Sequence, residues 1–214
     1  MIYYDVHTHH HRKSPDVVSI ESFSIGDLPL PLDRFISVGL HPWYIENEAY
    51  SQLSALKTAA SASNVVAIGE AGFDRLVNAP MEMQKKVFEE QAILAEELKK
   101  PLIIHCVKGW SELLEARKII KPSQPWIIHG FRGNKELALQ LRSKGILLSF
   151  GRYYNDEALK ATFDNSPLLM ETDESETTIQ EVYSKIASTL ELSVDMIGEK
   201  AQESFAKIFG EIRL

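Results

Sequence analysis

The chain has 214 residues, 44% of them hydrophobic and 25% charged, and a formal net charge of -7. This is the composition of a globular protein; the acidic balance argues against an extended basic track along nucleic acid, and no run of about 18 apolar residues offers a membrane-spanning helix. Cys106 is the sole cysteine, so no intrachain disulfide can form, which fits a reducing cytoplasm.

Met1 to Val6 reads as a strand, because Ile2, Tyr3, Tyr4 and Val6 all favour extended backbone. It begins without a basic-then-apolar leader, so a cytoplasmic location is expected. Val17 to Ile20 is a second strand, and Gly26 to Pro31 is loop. Phe35 to Leu40 is the third strand and ends at His41-Pro42. Glu46 to Ala62 is helical, with Ala49, Leu53, Leu56 and Ala60 on one face. Val65 to Gly69 is a short apolar run that stops before Glu70. Met81 to Lys100, set between Pro80 and Pro101, is the longest helix. Leu102 to Ile104 is a strand ending at His105, Trp110 to Ile120 a helix, and Trp126 to Ile128 a strand ending at His129. Asn134 caps a helix that Gly145 stops. Ile146 to Phe150 is a strand, Asn155 to Phe163 a helix, and Leu168 to Met170 the last strand, running to Glu171-Thr172-Asp173. Two amphipathic helices close the chain, striped by Ile179, Val182, Tyr183, Ile186 and Leu190, then by Met196, Ile197, Ala201, Phe205 and Ile208.

Strand and helix alternate, and the strands are apolar throughout, which predicts a parallel sheet covered on both faces. About eight strands predict an α/β fold, a (β/α)8 TIM-type barrel, as a single domain over residues 1–214. Its first strand–helix units are expected to be trimmed or distorted. No helix fits between Val6 and Val17, and the stretch from Ile20 to Phe35 reads as loop.

In a strand, residues two apart share a face, so His7 and His9 offer two imidazoles at the end of the first strand. Glu70, His105, His129 and Asp173 each follow a later strand. In a parallel barrel those ends share the face where active sites are built. Imidazoles with two carboxylates suit two divalent ions, Zn, Mn or Mg, with Glu70 as the natural bridge. A lone histidine at a strand end is ordinarily a hydrogen-bonded residue. Recurrence at one strand end after another is what points to metal.

The pieces Asp5-Val6-His7-Thr8-His9, Gly39-Leu40-His41-Pro42, Ile68 to Asp74, Pro101 to His105, His129-Gly130-Phe131, Ser149-Phe150-Gly151 and Leu169 to Asp173 occur in an order that resembles the TatD family of metal-dependent hydrolases. Gln84, Phe88 and Gln91 match a helix pattern of that family. The resemblance implies that His7, His9, Glu70 and Asp173 surround one ion, and Glu70, His105 and His129 the other. It implies phosphodiester hydrolysis, commonly deoxyribonuclease activity. In that reading a metal-bound hydroxide attacks phosphorus, Asp173 accepts the proton, and Glu70 and Asp173 are the catalytic carboxylates. The chain departs from the family in a short section from His10 to Phe35, in Gly130 and Arg132 after His129, in Glu174-Ser175 after the last Asp, and in Ser204 where Asn is usual.

Around the ligands, His41 is expected either to contact phosphate or substrate, as in the family, or to be a loop histidine with a backbone partner; Lys108, Arg132 and Arg152 could each neutralise a phosphate oxygen, although any one alone reads as a solvated rim charge. Arg75 is a weaker candidate of the same kind. Asp74 and Asp5 are expected to stand behind ligands and orient them. Cys106 should point into the strand–helix core, and His10 and His11 are loop residues. The expected partner is a phosphodiester or small-molecule substrate, DNA ends among the candidates. A C–N or C–O hydrolase of amidohydrolase type is the alternative enzyme, although many of those carry a carboxylated lysine where Glu70 stands. A non-catalytic metal-binding member is the other.

Overall fold

The computed structural model describes residues 1–45 and 49–210. Its eight strands form one sheet in chain order: β1 (Tyr3–Thr8), β2 (Val17–Ser24), β3 (Phe35–Gly39), β4 (Val65–Asp74), β5 (Leu102–Val107), β6 (Trp126–Ile128), β7 (Ile146–Phe150) and β8 (Leu169–Met170). Helices α1 (Ala49–Ala59), α2 (Met81–Leu98), α3 (Trp110–Ile120), α4 (Lys135–Ser143) and α5 (Asp156–Phe163) follow β3 to β7 in turn, and α6 (Ile179–Leu190) and α7 (Val194–Phe209) follow β8. β1 runs parallel to β2, β3 to β4, β4 to β5 and β7 to β8. Thr8 bridges Asp173 just past β8, so the first and last strands meet. This is the β/α barrel expected from the alternation.

The front is trimmed as expected. β1 and β2 are joined without a helix, and the link from β2 to β3 holds only a one-turn 3-10 segment, Ile25–Asp27, capped by Ser24. The helix expected from Glu46 is seen from Ala49 and ends at Ala59; its expected start lies outside the described residues.

Four strands run past their expected ends: β1 through His7 to Thr8, β2 to Ser24 in a stretch read as loop, and β4 and β5. β4 continues through Glu70 to Asp74, and β5 through His105 to Val107, so both residues sit inside their strands and not after them. The apolar run stops where the polar residue begins, but the ladder goes on, pairing Ala71 with Ile104, Gly72 with His105 and Asp74 with Val107. Two glycines permit this. Gly69 and Gly72 have φ of 141° and 157°, and a Cβ on Gly69 would approach the Ile103 carbonyl oxygen to 2.5 Å, while one on Gly72 would strike that of His105. Bare backbone lets β4 lie flush against β5.

The chain divides into two compact units, Met1–Glu21 with the chain from Ile128 onward, and Ser22–Ile127. In the first, α6 and α7 pack on β1 and β8. Tyr4 stacks on Phe205 at 4.6 Å, and its backbone N–H donates to the Tyr183 hydroxyl at 2.8 Å. Capping follows the sequence: Asn134, Asn155, Thr178 and Ser193 accept from the first turns of α4 to α7. In the second unit Phe88 of α2 meets Phe73 at 4.7 Å and Trp126 at 5.1 Å. Two buried glutamines of α2 hold strand ends. Gln91 accepts from Leu40 N–H at 2.8 Å and donates to its carbonyl at 3.1 Å; Gln84 does the same for Asp74, at 2.8 and 2.9 Å. Those bonds give the helix pattern seen in the sequence a physical purpose, because they fix the backbone beside His41 and under Asp74.

Candidate metal centre

In the first unit, period-two alternation places His7 and His9 at the end of β1, with His7 buried and His9 about a third exposed. Asp173 comes to them through backbone. Its N–H donates to the His7 carbonyl at 3.0 Å and its own carbonyl accepts from His9 N–H at 3.2 Å. The Nε2 atoms of His7 and His9 each stand 3.7 Å from Asp173 Oδ1. Beside this group lies a second, His129, Glu171 and Asp173, with His129 Nδ1 3.8 Å from Glu171 Oε1 and the His7 and His129 rings 4.3 Å apart.

Asp5 supports this end of the unit. Its Oδ1 accepts from His7 N–H at 3.3 Å and Thr172 N–H at 3.1 Å, and its Oδ2 from the Thr172 hydroxyl at 2.7 Å. It therefore locks the backbone that carries His7 and Asp173, rather than an imidazole. Burial pushes the Asp5 carboxyl up to about 7, partly offset by the Thr172 bonds, with the charge of Glu171 adding to the rise.

In the second unit Glu70 Oε2 stands 3.7 Å from His41 Nε2 and 3.8 Å from His105 Nδ1. The other nitrogen of each ring is occupied. His41 Nδ1 accepts from Trp43 N–H at 3.1 Å, and His105 Nε2 lies 3.2 Å from Asp74 Oδ2. An Nε2–H donating to Asp74 leaves the Nδ1 lone pair turned to Glu70. Asp74 is fixed in turn by Trp43 Nε1–H and Leu76 N–H, both at 2.8 Å. Burial pushes the Asp74 carboxyl up, but those hydrogen bonds and His105 outweigh it and hold the pKa below 3.8.

Five imidazole–carboxylate pairs in these groups are spaced at 3.7 to 3.8 Å. That is too long for a hydrogen bond. Two donors each ~2.1 Å from one zinc ion at a tetrahedral angle stand about 3.4 Å apart, so the spacing fits donors that share a cation. Within each group the donor atoms all lie within 4.8 Å of one another, and nitrogen with carboxylate oxygen is the chemistry a borderline divalent ion takes.

The sequence-predicted residues are thus distributed as follows. His7, His9, His129 and Asp173 come together in one unit, and Glu70 and His105 in the other. His41, expected as a substrate contact or a loop histidine, stands with Glu70 and His105 as a third donor. Lys108, Arg132 and Arg152 are exposed. Arg75 is engaged, donating to the Lys108 carbonyl at 3.0 Å and pairing with Glu112. His11 pairs with Glu21, and His10 meets the Glu174 carbonyl. Burial pushes the Cys106 thiol up to about 12, which keeps it inert. Glu171 was not singled out from sequence. It directly follows the last apolar run, Leu168 to Met170, which is the same signal that marked the other strand-end residues.

The family described as TatD related DNase matches residues 29–210. The metal-dependent hydrolase YabD of Bacillus subtilis is 31% identical over 147 residues, which are 65% of this chain and 58% of YabD. The 3'-5' ssDNA/RNA exonuclease TatD of Cronobacter sakazakii is 29% identical over 153 residues, 64% of this chain and 56% of its own length. The chain thus spans a little over half the length of these two relatives. Among solved structures, the TatD homologue YjjV of Escherichia coli superposes with a TM-score of 0.82 over 98% of both chains, at 20% identity.

Proposed function

The chain belongs to the TatD-related DNase family, and from that premise we propose that it is a divalent-metal-dependent phosphodiesterase that trims the ends of single-stranded nucleic acid. In this reading residues 1–214 act as one barrel domain in the cytoplasm. No helix among the described residues is long and apolar enough to cross a membrane. His7, His9, His105, His129, Glu70 and Asp173 would hold two ions, Zn, Mn or Mg, and His41 and Glu171 would complete the donor set. Support comes from the recurrent 3.7 to 3.8 Å spacing of imidazole and carboxylate. The nuclease name of the Cronobacter relative points the same way.

Divalent cations in these groups supply Lewis acidity toward a phosphoryl oxygen and toward the attacking water. The protein supplies position. Asp173 is tied to the end of β1 by both backbone bonds, which hold it beside His7 and His9; in this reading its carboxylate would accept the proton of the attacking water. Asp74 and Trp43 fix the His105 tautomer. Arg132 and Arg152 stand at the rim, where a guanidinium meets a phosphate oxygen.

The test is hydrolysis of a 5'-labelled single strand with added Mn²⁺ or Mg²⁺. Native protein should shorten it stepwise, and Glu70→Ala should lose at least ~100-fold in turnover with its circular dichroism unchanged. Wild-type turnover by Glu70→Ala would refute the proposal.

A further inference from the structure

Next to Asp173 the first unit opens a cleft of about 320 Å³. The cleft is lined by Gly130 to Arg132 after β6, by Gly151 to Tyr154 after β7, and by the segment from Glu171 to Glu176. Tyr153 is 59% exposed and lines the same cleft as Asp173. It is nevertheless not loose. The guanidinium of Arg132 stands 5.2 Å from its ring centroid and that of Arg152 5.3 Å. The backbone beneath it is anchored on both sides. Lys185 donates to the Arg152 carbonyl at 2.7 Å, and the next residue, Tyr154, is buried with its hydroxyl 2.8 Å from that of Thr189.

A tyrosine ring flanked by two guanidinium groups lines the same cleft as Asp173, and that combination matches the chemistry of a nucleotide. A base stacks on flat, preorganised surface, and its flanking phosphate is met by a guanidinium. Resting on the proposed nuclease reading, we propose that Tyr153, with Arg132 and Arg152, is the platform that grips the terminal nucleotide of a single strand. The platform reads the presence of a base, not its identity, because every base has a π-face. It also reconciles an acidic protein with a polyanionic substrate, since the grip needs two local guanidinium groups and no basic track.

The experiment measures equilibrium binding of a fluorescent single strand by anisotropy, in EDTA so that nothing is cut, and repeats it with a strand whose 3'-terminal residue is abasic. Native protein should bind the base-ended strand roughly 10-fold or more tightly than the abasic one. Tyr153→Ala should erase that preference and Tyr153→Phe retain it. Equal binding of the two strands by native protein, an unchanged preference in Tyr153→Ala, or binding of neither strand overturns the platform. Turnover in Mn²⁺ is scored separately: a strand gripped but never cut refutes the nuclease reading, and a strand cut equally well by native protein and Tyr153→Ala refutes the platform alone.

Discussion

Trp43, Asp74 and His105 make a short relay whose far end is a proposed ligand nitrogen. The indole N–H bond to Asp74 is 2.8 Å, and the ring carrying it is 55% exposed, so Trp43→Phe removes the donor with little effect on packing. Losing a hydrogen bond behind a ligand costs about 10- to 100-fold in metal affinity. Trp43→Phe is expected near the lower figure and Asp74→Asn near the upper, by calorimetric titration of Mn²⁺. Native affinity in both would refute the relay. At this scale the donors on His-x-His and at the later strand ends were legible, because each follows an apolar run. Trp43 was not, since an aromatic after His41-Pro42 reads as rim until its N–H is seen against Asp74. Nor was the second role of His41, because its pairing with Glu70 joins β3 to β4 and has no local trace.

The elements that present these residues depend on α2. Gln91 satisfies both backbone groups of Leu40 at the end of β3, and Gln84 both of Asp74 at the end of β4. Each buried group left unsatisfied costs about 1–3 kcal/mol. Gln91→Leu should therefore destabilise the protein by about 2–4 kcal/mol in urea, and a change under about 0.5 kcal/mol would contradict this role. Near the other end of α2, Glu96 accepts from Ser123 and Gln124 ahead of β6. Burial pushes its carboxyl up, but these bonds outweigh it, and its pKa falls below 4.5. A depressed acid stabilises the fold above its ordinary pKa, and that contribution fades as pH falls through the folded value. The stability difference between native protein and Glu96→Gln should thus shrink from pH 7 toward about pH 3, and a constant difference would contradict the assignment. Helix starts were readable because Asn134 and Asn155 cap in sequence as in space. Strand ends were not. Polarity at Glu70 and His105 looks like a loop signal, whereas Gly69 and Gly72 let the ladder run on.

Over the whole molecule, strand-by-strand alternation was enough to reach the barrel and its trimmed front, because each strand's burial on both faces is written in its composition. Which donors share which ion came only from the family resemblance, because the residues concerned lie on strands far apart in sequence. The proposal ties stability to metal: a free ion at about a hundred times its Kd adds about 2.7 kcal/mol to the folded state. EDTA-treated protein should melt lower than protein in Zn²⁺ or Mn²⁺, and Glu70→Ala should lose most of the difference. The most direct test is the stoichiometry of metal bound by demetallated protein, read calorimetrically. The account predicts two equivalents for the native chain and no more than one for Glu70→Ala or Asp173→Ala. Two equivalents in all three proteins, or none in the native chain, would contradict it.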